Sequence, residues 1–289
     1  MDSVPFEFID SVFHRMTSKS IKPSEELDHA TWHHGSSTHL SQRKDYCLFV
    51  CMNHQSSPGI VKIAMYTRGN PTFITPEDFM QKLSRFGRII EICFAPDHSD
   101  LTIPERTIEK AMNVFTLLKP HLGSVVTYYD DRRVTETSIF NKFDFWKLPV
   151  RQLIFDNLET DGVLEWHLEN NGCLREVMMY CEVAVPYLLE LTLRYRRQIQ
   201  WACAFPRSLK AALDQWKSAP EPFDFSLKLC YEIEVRKCER DINRVAPEMI
   251  EARTPELSAK GILHHYTLTH PNGEATFSVS EVNASNWFS

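Results

Sequence analysis

The sequence predicts an α/β protein in which a short N-terminal helix precedes irregular leucine-rich-repeat-like strand–helix units, which run into a mostly antiparallel C-terminal sheet. Three observations predict this class. Apolar residues recur at helical spacing near the N-terminus, four strand-like runs separated by helix signals fill the middle, and apolar and polar residues alternate in the last third. The composition agrees, because 289 residues with 43% hydrophobic and 24% charged residues are typical of a globular chain with a buried core.

The N-terminal helix is predicted over residues 3–16. Ser3 can cap its first turn, and Pro5 suits that turn because a helix start leaves the amide at this position unbonded anyway. Its apolar side chains recur at helical spacing: Phe6, Ile9, Phe13 and Met16. Such a stripe packs on the chain's own core or binds a partner's groove, and the pattern leaves both open.

The next segment, residues 17–44, is polar and has no periodic stripe, so it is predicted to be a long connection without helices. Two strand-like runs follow it, at 46–52 and 60–66. They are separated by Ser56-Ser57-Pro58-Gly59, and they therefore predict a hairpin or meander.

The middle of the chain carries a repeating pattern. Four short runs with the spacing apolar-x-x-apolar begin at Ile89, Val125, Val150 and Leu174, with separations of 36, 25 and 24 residues. Helix signals lie between them, at 104–118, 135–143 and 161–169. A strand, a helix and a return within about 25 residues is typical of a leucine-rich-repeat-like solenoid. A general run of right-handed βαβ crossovers has a similar pattern.

The C-terminal third shows strict alternation of apolar and polar residues at 189–195 and 223–235. This alternation is typical of antiparallel strands with one wet face. A helix is predicted between them at 206–217. Two further strands, 265–269 and 275–279, are joined by a turn that contains Asn-Gly, which is a strong hairpin signal.

Three regions follow from these patterns. Residues 1–44 form a helix plus polar connection, 45–182 an α/β repeat-like region, and 183–289 an α+β region with an antiparallel sheet. No low-complexity linker separates the second region from the third.

Standard catalytic and cofactor motifs do not occur in the sequence. It contains no G-x-G-x-x-G, P-loop, G-x-S-x-G, H-E-x-x-H or C-x-x-C pattern, and its nine glycines are scattered. We therefore expect a non-enzymatic protein that binds no cofactor.

The start of the chain has neither a basic segment nor a long apolar run, so no secretory signal is predicted. No run approaches the roughly 18 uncharged apolar residues of a membrane span. Most of the eight cysteines lie among apolar neighbours, as reduced core thiols do. We expect a cytoplasmic or nuclear protein without a membrane partner.

Four aspartates are the residues most suited to chemistry, because each follows a predicted strand of the middle region: Asp97, Asp130, Asp131 and Asp156. Ligands of open parallel sheets bind at that edge, and clustered carboxylates there can hold Mg²⁺. The alternative function is therefore a metal-dependent hydrolase or phosphoryl-transfer enzyme. Turn formation explains strand-end aspartates equally well, and we favour it.

A second candidate is the histidine group His29, His33, His34 and His39. His29 and His33 have the i, i+4 spacing of zinc ligands on a helix, but no cysteine or carboxylate lies at finger-like spacing. A solvated or packed histidine cluster is the favoured interpretation, and a metal site is left open.

Basic residues beside aromatic ones are a third candidate, because such pairs can stack on bases. They are Arg194, Arg196 and Arg197 with Tyr195, and Arg132 and Arg133 near Tyr128 and Tyr129. The net charge of −6 argues against a nucleic-acid partner. Cross-strand ion pairs with Glu232 and Glu234 explain the first group better.

The N-terminal segment Val4-Pro5-Phe6-Glu7-Phe8-Ile9, followed by Val12-Phe13, resembles the opening of an F-box. The next block is similar to an expanded nematode family of F-box-like, F-box-associated (FTH-type) proteins, at Trp32, His39, Leu40, Arg43, Lys44 and Tyr46-Cys47-Leu48-Phe49-Val50. The C-terminal element Tyr266-Thr267-Leu268-Thr269-His270-Pro271 and the middle repeats are also similar to that family. The resemblance covers nearly the whole chain.

This resemblance implies an adaptor. An F-box helix docks on the Skp adaptor of a cullin–RING ubiquitin ligase, and the associated region captures the protein to be ubiquitinated. The residues implied to form the docking face are Val4, Pro5, Phe8, Ile9, Val12 and Phe13. A full F-box has three helices, and residues 18–43 give no signal for the second or third. A second interpretation is therefore left open, in which the protein has kept target binding and lost the connection to the ligase.

Overall fold

The computed structural model describes residues 5–16, 18–22, 29–52, 60–67, 70–82, 86–96, 103–129, 146–156, 162–231, 242–252 and 262–283. The chain divides into two compact units, Met1–Arg151 and Gln152–Ser289. Both contain helices and mixed β-sheet, so the predicted α/β class is confirmed.

The first unit contains helices α1 Phe6–Arg15, α2 Ser18–Ile21, α3 Ala30–Gln42, α4 Pro76–Gln81 and α5 Ile108–Leu118. Its strands are β1 Lys44–Met52, β2 Ile60–Thr67, β3 Asn70–Ile74, β4 Gly87–Pro96, β5 Glu105–Thr107 and β6 Leu122–Tyr129. They lie in the order β3-β2-β1-β4-β6, with β5 also on β2. The β1/β4 and β4/β6 pairs are parallel, and the other pairs are antiparallel.

The predicted hairpin of residues 46–52 and 60–66 is confirmed as β1 and β2, which pair from Tyr46↔Thr67 to Met52↔Val61. Side chains from both strands, among them Leu48, Val50 and Ile63, are buried in the core of this unit. The hairpin forms because both runs are rich in the β-branched and aromatic residues that fit a half-buried pleated surface.

The prediction that residues 17–44 form a connection without helices is wrong, because α2 and α3 lie there. The buried residues of α3 are Gly35, Ser36 and His39. None of them is a large apolar residue, so the helix carries no apolar stripe that periodicity could detect. The described part of residues 1–44 therefore contains three helices rather than one helix and a polar connection.

The helix predicted over 104–118 is shorter than expected, because Glu105–Thr107 form strand β5 on the edge of β2. Thr107 then caps α5 by accepting a hydrogen bond from the amide of Lys110. Thr75 caps α4 in the same way through the amide of Asp78. The helix predicted at 135–143 lies outside the described residues.

The second unit contains helices α6 Val163–Asn170, α7 Val185–Tyr195, α8 Leu209–Lys217 and α9 Ile242–Val245. Its strands are β7 Gln152–Phe155, β8 Glu176–Ala184, β9 Gln200–Arg207, β10 Phe225–Tyr231, β11 Ile250–Ala252, β12 Ile262–Thr269 and β13 Thr276–Asn283. They lie in the order β7-β8-β9-β10-β13-β12-β11. The strands from β7 to β13 are parallel, and β12 and β11 complete the sheet in antiparallel pairs.

The predicted C-terminal hairpin is confirmed as β12 and β13. The prediction of a mostly antiparallel sheet over 183–289 is corrected, because β10 lies parallel to both β9 and β13. Alternation reports one buried face directly and strand direction only by association, and β10 is a parallel strand with one partly exposed face. The alternating run of 223–235 is β10 only as far as Tyr231, and residues 232–241 lie outside the described part.

The strand predicted at 189–195 is wrong, because these residues lie in α7. Val185, Leu188, Leu189 and Thr192 are buried at helical spacing, and Pro186 stands in the first turn. The alternation of leucines with polar residues at 189–195 is therefore a coincidence within a helical pattern. The helix predicted at 206–217 begins at Leu209, because Pro206 belongs to β9.

Registers in the second unit repeat at nearly constant spacing. Gln152 pairs with Glu176, Glu176 with Gln200, and Gln200 with Ser226, which gives steps of 24, 24 and 26 residues. Helices α6, α7 and α8 connect these adjacent parallel strands in turn. Because such crossovers are right-handed, all three helices lie on one face of the sheet. The residues facing them form a buried row: Leu153, Val177, Trp201, Leu227 and Val279.

Candidate functional site

The structure divides the predicted docking residues between two sides of α1. Ile9 and Phe13 are 0% exposed, whereas Phe8 is 56% exposed. Pro5 is exposed and Val12 partly exposed, and Val4 lies outside the described residues. The helix therefore has an inner face that belongs to the core and an outer face that reaches the surface.

The inner face of α1 packs on α2 and α3. Ile9 and Phe13 form a buried cluster with Ile21, and Trp32 packs against that cluster with its ring edge-on to Phe13, at 5.5 Å between centroids. Gly35 of α3 lies directly against the side chains of Ile9 and Phe13. A Cβ atom added there would lie 2.9 Å from the Phe13 ring, so only glycine allows this approach of the two helices.

A hydrogen bond between His39 and Asp10 also joins α1 to α3. His39 Nε2 lies 2.9 Å from Asp10 Oδ1, and the His39 side chain is almost completely buried. Burial lowers the pKa of His39 below its ordinary value, and this effect outweighs the opposing effect of Asp10. The imidazole is therefore neutral at pH 7 and hydrogen-bonded to the carboxylate.

Two arginines hold the carboxyl end of α1. Arg43 donates to the carbonyl of Met16 and to Asp45, and Arg88 Nη2 donates to the carbonyl of Phe13 at 3.4 Å. Cations are favourable at this end because the last carbonyls of a helix carry partial negative charge. Arg88 is 1% exposed, and burial lowers its pKa to about 9. The two arginines fix the helix to the starts of β1 and β4.

The outer face of α1 is an apolar stripe of Pro5, Phe8 and Val12, which we call the α1 stripe. These residues have the spacing i, i+3, i+7, which places them on one side of a helix. Exposed Glu7 and Ser11 flank Phe8. The stripe presents a large aromatic side chain on a helix whose inner face is fixed.

The candidate metal residues are not brought together by the described part of the chain. Asp97, Asp130 and Asp131 lie outside it, and Asp156 follows β7 with its side chain partly exposed. No group of three or more histidine, cysteine, aspartate or glutamate residues that could hold a metal occurs among the described residues.

The histidine group does not form a shared helix face. His29 precedes α3 with an extended backbone, so it does not continue the helix that carries His33. His33 and His34 are exposed, whereas His39 points into the core toward Asp10. The favoured interpretation, solvated and packed histidines, agrees with this arrangement.

The basic and aromatic residues at 194–197 lie at the end of α7, so the expected cross-strand pairing of these arginines is wrong. Arg196 has a left-handed backbone that ends the helix, and its side chain pairs with Glu221 at 3.4 Å. Arg197 donates to the carbonyls of Leu168 and Asn171 at the end of α6. Its partners are therefore structural. Arg132, Arg133, Glu232 and Glu234 lie outside the described residues.

Several residues of the α1 site have no signal that pattern reading detects. Gly35, His39 and Arg88 matter through contacts with residues distant in the chain, such as Arg88 with Phe13. The one local hint is Arg88 itself, because it interrupts the apolar run Phe86-Gly87-Arg88-Ile89-Ile90, where a charge needs a reason.

Comparison with known proteins finds no matching family model, no matching curated protein and no matching solved structure. In the described part of the chain, no helix has the length and apolar character needed to cross a membrane.

Proposed function

We propose that this protein is a non-enzymatic interaction adaptor of F-box type, a substrate-recognition subunit of a cullin–RING ubiquitin ligase. In this proposal the α1 stripe docks on the Skp adaptor, and the second unit captures the target. The single observation that carries the proposal is the exposed Phe8 on a helix whose inner face is locked by Ile9 and Phe13.

Rigidity of α1 supports docking. A helix that must first be ordered loses affinity, whereas a helix held on α3 by the Gly35 contact and the Asp10–His39 pair does not. Aromatic residues, phenylalanine among them, are enriched in protein–protein interfaces relative to the rest of the surface. The α1 stripe presents one such residue, Phe8.

The three helices α1, α2 and α3 also support the F-box interpretation. The F-box resemblance implies three helices in this part of the chain, and the described residues between 6 and 42 supply them. Within them, the expected docking set narrows to Pro5, Phe8 and Val12, because Ile9 and Phe13 hold the helices together.

The spacing of the second unit supports the repeat interpretation. Steps of 24, 24 and 26 residues between paired strands are in the range of leucine-rich repeats. We infer irregular repeats of this kind, which in other proteins build extended binding surfaces.

The test is affinity purification of the tagged full chain from cell lysate, with mass spectrometry, for wild type, Phe8→Asp and Leu117→Asp. Leu117 of α5 is a matched control, because it is 57% exposed against 56% for Phe8. We expect the Skp adaptor and a cullin with wild type and with Leu117→Asp, and their loss with Phe8→Asp.

Absence of both ligase components from the wild-type sample would overturn the proposal. Their retention by a folded Phe8→Asp variant would overturn the assignment of the α1 stripe. Phe13→Asp is not informative, because a charge at this buried position would unfold the three helices.

A further inference from the structure

One row of polar side chains crosses the sheet of the second unit on the face opposite α6, α7 and α8. Each member is the register partner of the next on six adjacent strands: Gln152, Glu176, Gln200, Ser226, Ser278 and Thr267. All six are partly exposed. We call this set the polar row.

The next row of paired residues along the strands is apolar and buried, unlike the polar row. One residue further along each strand, the side chains Val177, Trp201 and Leu227 face the helices and are buried. Successive side chains of a strand point to opposite faces, so the polar row faces away from those helices. Its composition therefore belongs to a surface rather than to the core.

The polar row is a narrow strip. On the same face, two residues further along the strands, Met178 and Ala202 are buried. Lys228 and His265 remain partly exposed beside the row. At about 4.8 Å between strands, six strands give a strip about 24 Å long. A single extended chain of about seven residues matches that length.

Charges on this strip cancel. Lys228 Nζ donates to Glu176 Oε1 at 2.8 Å across the intervening strand β9. The other members are amides and hydroxyls, and Gln200 Nε2 donates to Ser226 Oγ at 2.8 Å. Among the described residues of this strip, a strongly charged ligand therefore finds no uncompensated opposite charge. Glutamine offers both a donor and an acceptor, as a peptide group does, and so does serine.

We propose that the polar row is the recognition surface for an extended, neutral, polar peptide segment of a target protein. The proposal rests on the proposed function, since target capture by the second unit is what makes the ligand a protein. The peptide crosses the strands, and its backbone and side-chain amides exchange hydrogen bonds with Gln152, Gln200 and Ser226.

The probe is a phage-displayed library of random nine-residue peptides, panned against the immobilised full-length chain. Binding of the enriched peptides is then measured by fluorescence polarisation to wild type, Gln200→Arg and Gln215→Arg. Gln215 is a matched control because it is an exposed glutamine of α8 on the helix side. We expect peptides rich in Ser, Thr, Asn and Gln, at least tenfold weaker binding to Gln200→Arg, and unchanged binding to Gln215→Arg.

If Gln200→Arg lowers the melting temperature, peptide binding is measured instead with Gln152→Arg, which changes the first residue of the polar row. Enrichment of no peptide, enrichment of strongly charged peptides, or equal binding to wild type and both row variants would each overturn the proposal. If the protein binds neutral oligosaccharides instead of peptides and Gln200→Arg abolishes that binding, the ligand of the polar row is a glycan and the peptide proposal is overturned. These results are independent of the Phe8→Asp experiment, so failure of ligase docking and failure of peptide recognition are distinguishable.

Discussion

Single residues determine how α1 is held, and three of them act beside the apolar cluster without being large apolar residues. Gly35 allows contact through the absence of a side chain, and His39 and Arg88 bind through buried polar groups. Nε and Nη1 of Arg88 have no hydrogen-bond partner in the described part of the chain. A buried guanidinium in that state costs stability, and its contact with the Phe13 carbonyl offsets part of the cost.

Replacing Gly35 tests the close approach of α1 and α3. A valine there would meet the Phe13 ring, and overpacking of this kind lowers the free energy of unfolding by about 1–3 kcal/mol. Gly172→Val is the control because no atom lies within 4 Å of its Cβ position. Urea unfolding curves of both variants check this. Equal stability of the two variants would contradict the tight contact.

Acid should destabilise the protein through three buried or partly buried histidines. Burial lowers the pKa of His39, His121 and His265 below 6.5, so the unfolded chain takes up these protons first as pH falls. Their contribution is present above pH 6.5 and is lost as pH falls toward the lower pKa values of the folded state. We expect the free energy of unfolding to decrease between about pH 7.5 and about pH 5.5.

His39→Gln isolates one of these contributions. Glutamine can still donate to Asp10 but does not titrate, so the decrease should be smaller in this variant. Urea unfolding at both pH values measures the difference. An identical decrease in wild type and His39→Gln would show that His39 is not held neutral.

At the scale of elements, the sequence predicts what a repeated apolar pattern encodes. The hairpin β1/β2, the hairpin β12/β13 and helix α1 follow from patterns of period 2 and period 3.6. Helix α3 escapes prediction because its buried residues are small or polar. Helix α7 is mistaken for a strand because three leucines happen to alternate with polar residues within a helical stripe.

Two leucines of α7 distinguish helix from strand in solution. In a strand, Leu191 and Leu193 would share a face, but in α7 Leu191 is 3% and Leu193 40% exposed. Leu191→Asp should therefore abolish folding of the second unit, because it buries a charge. Leu193→Asp should change the free energy of unfolding by less than about 1 kcal/mol. Circular dichroism during heating measures both, and equal effects would favour the strand.

At the scale of the whole molecule, the α/β class is predictable from the sequence, and the two proposed binding surfaces are predictable only in part. The helical spacing of α1 predicts its inner residues Ile9 and Phe13, whereas the F-box resemblance supplies Phe8 and Val12. Which of these residues face outward depends on contacts with α3. The polar row joins residues up to 126 positions apart in sequence, from Gln152 to Ser278. No local pattern reports such a row, because strand order and register create it.

The central claim is that α1 docks on the Skp adaptor through Phe8. Its most direct test is a titration of purified full-length protein with purified Skp adaptor, for wild type, Phe8→Asp and Leu117→Asp. We expect saturable binding by wild type and Leu117→Asp, and about 30-fold weaker binding by a Phe8→Asp variant that unfolds at the wild-type temperature. No binding by wild type, or equal binding by all three proteins, would contradict the claim.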